Sequence, residues 1–241
     1  MRKMKAAAVI GILGLLIILA ISRIEIQNER NLSVSYWLWA GVTAQAAPPN
    51  SELYVYQGLI FDRDGIATYQ RIGLYPHPLQ AKKIFLVYRL EGDLPDPNMV
   101  ISVFYNNVTQ WQHHPLTIAG LQLDFDSPTS KLLIYSNFLK KLRDQLPRKY
   151  VLSVTGLGDW AMEANMQAMQ TITRATNEIV FQLYQGWNPL LDINHYVKLL
   201  SSYPLPFRIG LLANSSNNQY ISILSKNPNF HGVIYFIRKK L

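Results

Sequence analysis

Apolar and polar positions along the chain fall into short runs rich in β-branched and aromatic residues, with turn chemistry or helical spacing between them. Eight such runs, at 34–39, 53–60, 84–90, 121–126, 150–155, 179–184, 207–212 and 233–237, predict strands. After the fourth, Leu132, Leu133, Tyr135, Phe138, Leu139 and Leu142 form an apolar helical face. Ser127 is placed to cap that helix, Pro128 suits its first position and Pro147 stops it. Further helices are expected over 160–175, 190–200 and 217–224. The segment 98–111 fits two patterns. Val100, Val103, Phe104 and Val108 have helical spacing, while Val100-Ile-Ser-Val-Phe-Tyr also reads as a strand. A parallel crossover between the third and fourth strands needs a helix there, which decides for helix.

Alternating β and α units with eight strands point to an α/β fold, either a (β/α)8 TIM-type barrel or an open doubly wound sheet. The strand count favours the barrel, as does the lack of a Gly-rich phosphate loop after any early strand. The expected domain, residues 31–241, is near the lower size limit of about 200 residues for such barrels. Its first units are therefore expected to be reduced, with Asp62-Arg-Asp-Gly turning a hairpin between Leu59 and Ala67.

The start of the chain breaks this pattern. Arg2, Lys3 and Lys5 precede an uncharged run of 17 residues, Ala6 to Ser22. As a helix it would span about 25 Å, the short end of what crosses a bilayer. Residues 1–30 read as an export signal with a short linker. It is either cleaved after Ser22, where Ala20 and Ser22 give a small-x-small pattern, or kept as an inner-membrane anchor with the domain facing the periplasm. Composition adds exclusions. With 49% hydrophobic and 12% aromatic residues the chain is not disordered. Without cysteine it has no disulfides, thiolate metal sites or thiol nucleophile. The net charge of +8 gathers at the two ends, and the interior basic residues are scattered, which argues against a nucleic-acid partner.

The candidate chemistry lies on the fourth strand, Gly120-Leu-Gln-Leu-Asp-Phe-Asp-Ser-Pro. Alternation sends Leu121, Leu123 and Phe125 to one face and Gln122, Asp124 and Asp126 to the other. In a barrel the apolar set packs on the helices, leaving a polar ladder on the axis. Asp126 then stands at the carboxyl end, where barrel enzymes place their catalytic groups, with Asp124 one layer deeper. Like charges that close raise at least one pKa, as a general acid requires. Alternatively Asp126 caps the following helix. Asp124, a carboxylate inside a strand, needs a partner or a function. Arg89, inward by the same parity on the third strand, is its candidate partner, in a structural or a functional role.

More polar and aromatic residues gather at the same predicted rim: Ser153, Thr155, Asp159 and Trp160 after strand five, Gln182, Tyr184, Gln185 and Trp187 after strand six, and Asn214 after strand seven. Strand one adds Tyr36, Trp37 and Trp39, and strand two Tyr54, Tyr56 and Gln57. Rings beside carboxylates and amides suit a sugar-binding groove, in which flat faces stack on pyranoses and polar groups fix hydroxyls. Any one of these aromatics can equally be a core residue. Other chemistries find less support. His113 and His114 are adjacent, and His77 and His231 lie beside turns, so no metal site or cofactor is expected. The Asp62 segment lacks the downstream Glu of a calcium loop, position 73 being Gly. No Gly-x-Ser-x-Gly elbow is present. Asn107-Val-Thr109 is a glycosylation triplet that matters only in a glycosylating host.

The stretches Leu53-Tyr-Val-Tyr-Gln-Gly, Leu86-Val-Tyr-Arg-Leu-Glu-Gly, Gly120-Leu-Gln-Leu-Asp-Phe-Asp-Ser-Pro-Thr, Leu152-Ser-Val-Thr-Gly-Leu-Gly-Asp-Trp and Phe181-Gln-Leu-Tyr-Gln-Gly resemble a family of exported bacterial proteins catalogued as a domain of unknown function. The resemblance covers nearly all of the chain after the signal. It implies a glycoside-hydrolase-type barrel, and its Asp-x-Asp is similar to the acid-bearing strand of chitinase-like and lysozyme-like barrels. Here Ser127-Pro128 follows Asp126 and no Glu stands two residues beyond it, so that family's acid is not carried over. The resemblance implies architecture and the location of the site more than a reaction.

Two readings follow. In one, the chain is an exported carbohydrate-active enzyme acting on a polysaccharide. Asp126 is its general acid, Asp124 the electrostatic partner or base, and Asp159 or Glu91 the second carboxylate. Gln122, Arg89, Tyr56, Trp39, Thr155, Trp160, Gln182, Tyr184 and Asn214 contact substrate. In the other it is a non-catalytic barrel that binds a glycan or scaffolds an envelope complex. A metal-dependent hydrolase using the Asp pair is disfavoured by the scarcity of rim histidines.

Overall fold

Each of the eight predicted runs forms a strand in the computed structural model, which describes residues 32–63, 66–213 and 218–237. In chain order the strands are β1 (Ser33–Leu38), β2 (Ser51–Arg63), β3 (Ile66–Arg71), β4 (Ala81–Glu91), β5 (Ile118–Asp124), β6 (Val151–Leu157), β7 (Glu178–Gln182), β8 (Tyr184–Gln185), β9 (Asn188–Pro189), β10 (Phe207–Leu212) and β11 (Phe230–Ile237). The helices are α1 (Pro97–Trp111), α2 (Leu132–Gln145), α3 (Trp160–Glu163), α4 (Met166–Ala175), α5 (Ile193–Leu200) and α6 (Asn218–Leu224). Residues 1–30, expected to form an export signal or anchor, and Asn214 lie outside the described residues.

Among the described residues, β1, β2, β4, β5, β6, β7, β10 and β11 pair in parallel in that order. Because β1 pairs with both β11 and β2, the ring closes into a (β/α)8 barrel. The first units are reduced, as expected. A short 3-10 turn, Ala44–Ala46, connects β1 to β2. β3 turns back antiparallel on β2, from Arg63 opposite Ile66 to Gly58 opposite Arg71. Asp64 and Gly65 lie outside the described residues.

The ambiguous segment is a helix. Asp96 accepts from the Asn98 N–H at 2.8 Å and Pro97 starts α1, whose buried Val100, Val103, Phe104, Val108 and Trp111 face the sheet. Asn107 is buried too, donating to the Val103 carbonyl at 2.9 Å and accepting from Arg71, so the glycosylation triplet is closed to modification.

Two helical expectations are corrected. Ser127 does not cap α2: its hydroxyl donates to the Pro128 carbonyl at 3.3 Å, and a 3-10 turn, Thr129–Lys131, leads into the helix. The predicted helix 160–175 is two pieces. Asn165 leaves helical geometry and caps α4, accepting from Gln167 N at 2.8 Å and Ala168 N at 3.4 Å, because Asn competes for backbone donors better at a cap than inside a helix.

Strand alternation divides the core in two. Leu121 and Leu123 face outward and are fully buried, while Gln122 and Asp124 face the axis. Trp37, Tyr54, Phe85, Val180 and Ile234 fill the barrel's middle. Nearer the amino ends of the strands Arg208, 3% exposed, donates to Glu178, Tyr54, Ser35 and the Val233 carbonyl. That layer closes the bottom of the barrel and leaves its carboxyl end open.

Candidate functional site

At the carboxyl ends of the strands a cavity of about 650 Å3 opens, lined among others by Trp39, Arg89, Asp124, Asp126, Asp159 and Tyr184. Its polar centre is built by four neighbouring strands, β4 to β7. Asp124 is the last residue of β5 and is 2% exposed. It accepts from Thr155 of β6 at 2.8 Å and from Gln182 of β7 at 3.3 Å, while Arg89 of β4 donates to its second oxygen at 2.9 Å. The inward parity shared by positions 89, 124, 155 and 182 is what brings them together.

Arg89 also reaches Asp126 at 2.7 Å and Glu91 at 3.2 Å, so one guanidinium serves three carboxylates. Asp126 stands in the loop beyond β5 instead of on the strand, and the following helical turn takes no cap from it. Burial pushes the Asp124 carboxyl above its ordinary 3.8, with Arg89 pulling against that and Asp126 adding to it. Burial opposes the charge on Arg89, but Asp124 and Asp126 outweigh it and raise the guanidinium's pKa.

Asp159 lies on the β6–α3 turn and faces the same cavity. The Tyr196 hydroxyl of α5 donates to it at 2.7 Å. Gly158 makes this contact possible, since a Cβ there would lie 2.8 Å from the Tyr196 ring. Nothing in the sequence links position 196 to position 159. The chain brings them together only when α5 packs beside the β6 turn.

Several residues predicted to contact a ligand do not line the cavity. Gln122 is fully buried one layer down, accepting from the Trp37 indole and donating to Ser153 at 2.8 Å. Ser153 in turn donates to Glu178 at 2.7 Å. Trp160 is buried outside the barrel, donating to the Ser127 carbonyl at 2.8 Å and meeting Tyr135 edge-on. Tyr56 is buried beneath Trp39, the two rings stacked at 4.0 Å, and burial pushes its phenol up to about 12. Thr155 is buried and positions Asp124. Of the strand-one and strand-two aromatics, Trp39 lines the cavity, whereas Trp37 and Tyr54 are core. Gln182, Tyr184, Gln185 and Trp187 all line it.

The ion network at the barrel bottom was missed, although its signal was available. Glu178 and Arg208 are charged residues at inward positions of otherwise apolar strands, as Asp124 is. Among the described residues no three His, Cys, Asp or Glu side chains are grouped to hold a metal ion.

Residues 80–198 match the family model described as a domain of unknown function, DUF3142. Four of the five stretches that carried the resemblance fall inside this range; the one beginning at Leu53 lies before it. No curated protein matches the chain in sequence. Among solved structures the chain is similar to the tamarind chitinase-like lectin, at 12% identity and a TM-score of 0.55 over 86% of this chain and 94% of that one. It is also similar to the GH18 chitinase ChiB from the chitin utilization locus of Flavobacterium johnsoniae, at 12% identity and 0.54, over 86% and 88%. The xylanase and α-amylase inhibitor protein XAIP-II from Scadoxus multiflorus follows at 10% and 0.51, over 85% and 92%. At such identities the likeness establishes the shared barrel fold.

Proposed function

We propose that the chain is a carbohydrate-active barrel that binds a glycan at its carboxyl-end mouth and hydrolyses a glycosidic bond there. The observation that carries this reading is one cavity combining Asp124, Asp126 and Asp159 with the ring faces of Trp39, Tyr184 and Trp187. Rings supply flat apolar surface for pyranoses, and carboxylates supply acceptors for hydroxyls and a proton for a leaving oxygen. Barrels of this fold include a chitinase and a chitinase-like lectin, so the fold alone favours neither chemistry.

Asp126 is the member of the pair that reaches solvent, its side chain 45% exposed, and it is our general acid. Asp124 lies beneath it and shares Arg89 with it. Asp159, held by Tyr196, is the second carboxylate. The neutral Asp126→Asn variant should keep glycan binding and lose turnover by about 100- to 10,000-fold. Product release from a panel of bacterial envelope and exopolysaccharide fragments, measured beside binding, checks this. Unchanged turnover of a demonstrated substrate would sink the assignment.

One observation favours a second reading, a non-catalytic glycan-binding module: Arg89 ion-pairs with both Asp124 and Asp126. Equal binding by both proteins, with product from neither, would select that reading. Either reading places the domain outside the cytoplasm, because the ligand is an envelope or exported polysaccharide and residues 1–22 have the charge pattern of an export signal.

A further inference from the structure

β7 does not run straight into a helix. After Gln182 the chain folds back as a two-stranded hairpin, with Tyr184 opposite Pro189 and Gln185 opposite Asn188. Gly186 makes the reversal at φ +56, in the left-handed region that favours glycine. The base of the hairpin is tied down. Leu190 N donates to the Leu183 carbonyl at 3.2 Å, and Leu183 N donates to Gly210 of β10 at 3.0 Å. A fixed support therefore carries Trp187, which is 56% exposed at the rim of the cavity. A tryptophan on an anchored turn at a cavity rim presents a flat face at little entropic cost to a ligand.

Phe236 of β11 joins this rim to the centre. Its ring lies 5.8 Å from Trp39, 5.2 Å from Tyr184 and 5.9 Å from Trp187. One face of Trp39 is taken by Tyr56. Aromatic rings thus run from Trp39 through Phe236 to Trp187 in two steps of 5.8 and 5.9 Å. At about 650 Å3 the cavity is of the size that encloses a multi-ring ligand.

We infer that the ligand is an extended oligosaccharide, with one unit against Asp126 and a unit at least two further along the chain stacked on Trp187, so that the 184–189 hairpin sets a preference for chain length. This rests on the glycan reading of the same cavity. Stacking on Trp187 adds affinity only for a chain long enough to reach it. The hairpin's contribution therefore appears in the ratio of affinities for long and short ligands.

The test titrates the full chain with dimers and hexamers of β-1,4-linked N-acetylglucosamine, glucose and xylose, beside Trp187→Ala and Trp187→Tyr. The unmodified chain should prefer a hexamer to its dimer. Trp187→Ala should weaken that hexamer about tenfold and leave the dimer unchanged, and Trp187→Tyr should restore most of the loss. A shared urea midpoint establishes that the variants are folded. Equal losses for both lengths, or no loss, would overturn the hairpin subsite while the glycan reading stands. Failure of the unmodified chain to bind any of the six oligomers would overturn both.

Discussion

Arg89 is the residue on which the mouth of the barrel depends. Among the described residues that line the cavity its guanidinium is the one cation, and it compensates a carboxylate that is 2% exposed. Removing one partner of a buried pair costs about 3–5 kcal/mol, because the other charge stays buried and uncompensated, whereas an exposed pair such as Arg89–Asp126 contributes about 0–1 kcal/mol. Arg89→Met should therefore destabilise the chain near neutral pH by an amount set by Asp124. The loss should also depend on pH. Burial already holds the folded pKa of Asp124 above its ordinary 3.8, and removing Arg89 raises it further. For a raised folded pKa the stability contribution is full below the unfolded value and is lost as pH rises through the folded one. The variant should thus lie closest to the unmodified chain near pH 3.8 or below and fall away towards neutrality. Urea midpoints across that range check this; a deficit that does not vary with pH would refute it.

Among the elements, the β6–α4 segment shows how a short break serves the site. Had 160–175 been one helix, the turn that presents Asp159 beside Tyr196 would be constrained by the full length of that helix. Instead α3 ends at Glu163, and Asn165 starts α4 afresh. Asn165→Ala removes the one oxygen that accepts from two backbone N–H groups and should cost about 1 kcal/mol, read as a lowered thermal midpoint. Asn165→Asp should keep the stability, since Asp caps equally well. A loss as large in Asn165→Asp as in Asn165→Ala would show that the amide nitrogen, not the cap, is what matters. The break was invisible in the sequence because an Asn within an amphipathic run reads equally as an exposed helical position or a cap.

For the molecule as a whole, the closed ring depends on a buried charge network at the end opposite the cavity. Arg208 donates to groups on β1, β2, β7 and β11, and so bridges strands on both sides of the β1–β2 pairing that closes the barrel. Arg208→Met leaves Glu178 without its arginine in the interior. It should cost about 3–5 kcal/mol, measured by denaturant unfolding. Because this layer is separated from the mouth by Trp37, Tyr54 and Phe85, glycan affinity of the folded variant should be unchanged. A loss confined to affinity would mean that the two ends of the barrel are coupled.

The eight strands, the reduced first units, the inward parity of Arg89, Gln122, Asp124 and Thr155, and Arg89 as a candidate partner for Asp124 were legible in the residues alone. Each of these is a local matter: period-two alternation and the high cost of an unpaired charge in an apolar strand leave few arrangements. Tertiary structure decided depth and neighbourhood. Alternation tells which face a side chain takes but not how far along the axis it sits, because the stagger of strands around a closed barrel sets that height. For this reason Gln122 is core while Asp126 reaches the cavity, and Tyr56 lies beneath Trp39 while Trp39 faces the opening. The same holds for Tyr196 and Asp159, 37 residues apart, and for Phe236 between Trp39 and Trp187. Those meetings follow from ring closure and helix packing, which no local pattern encodes.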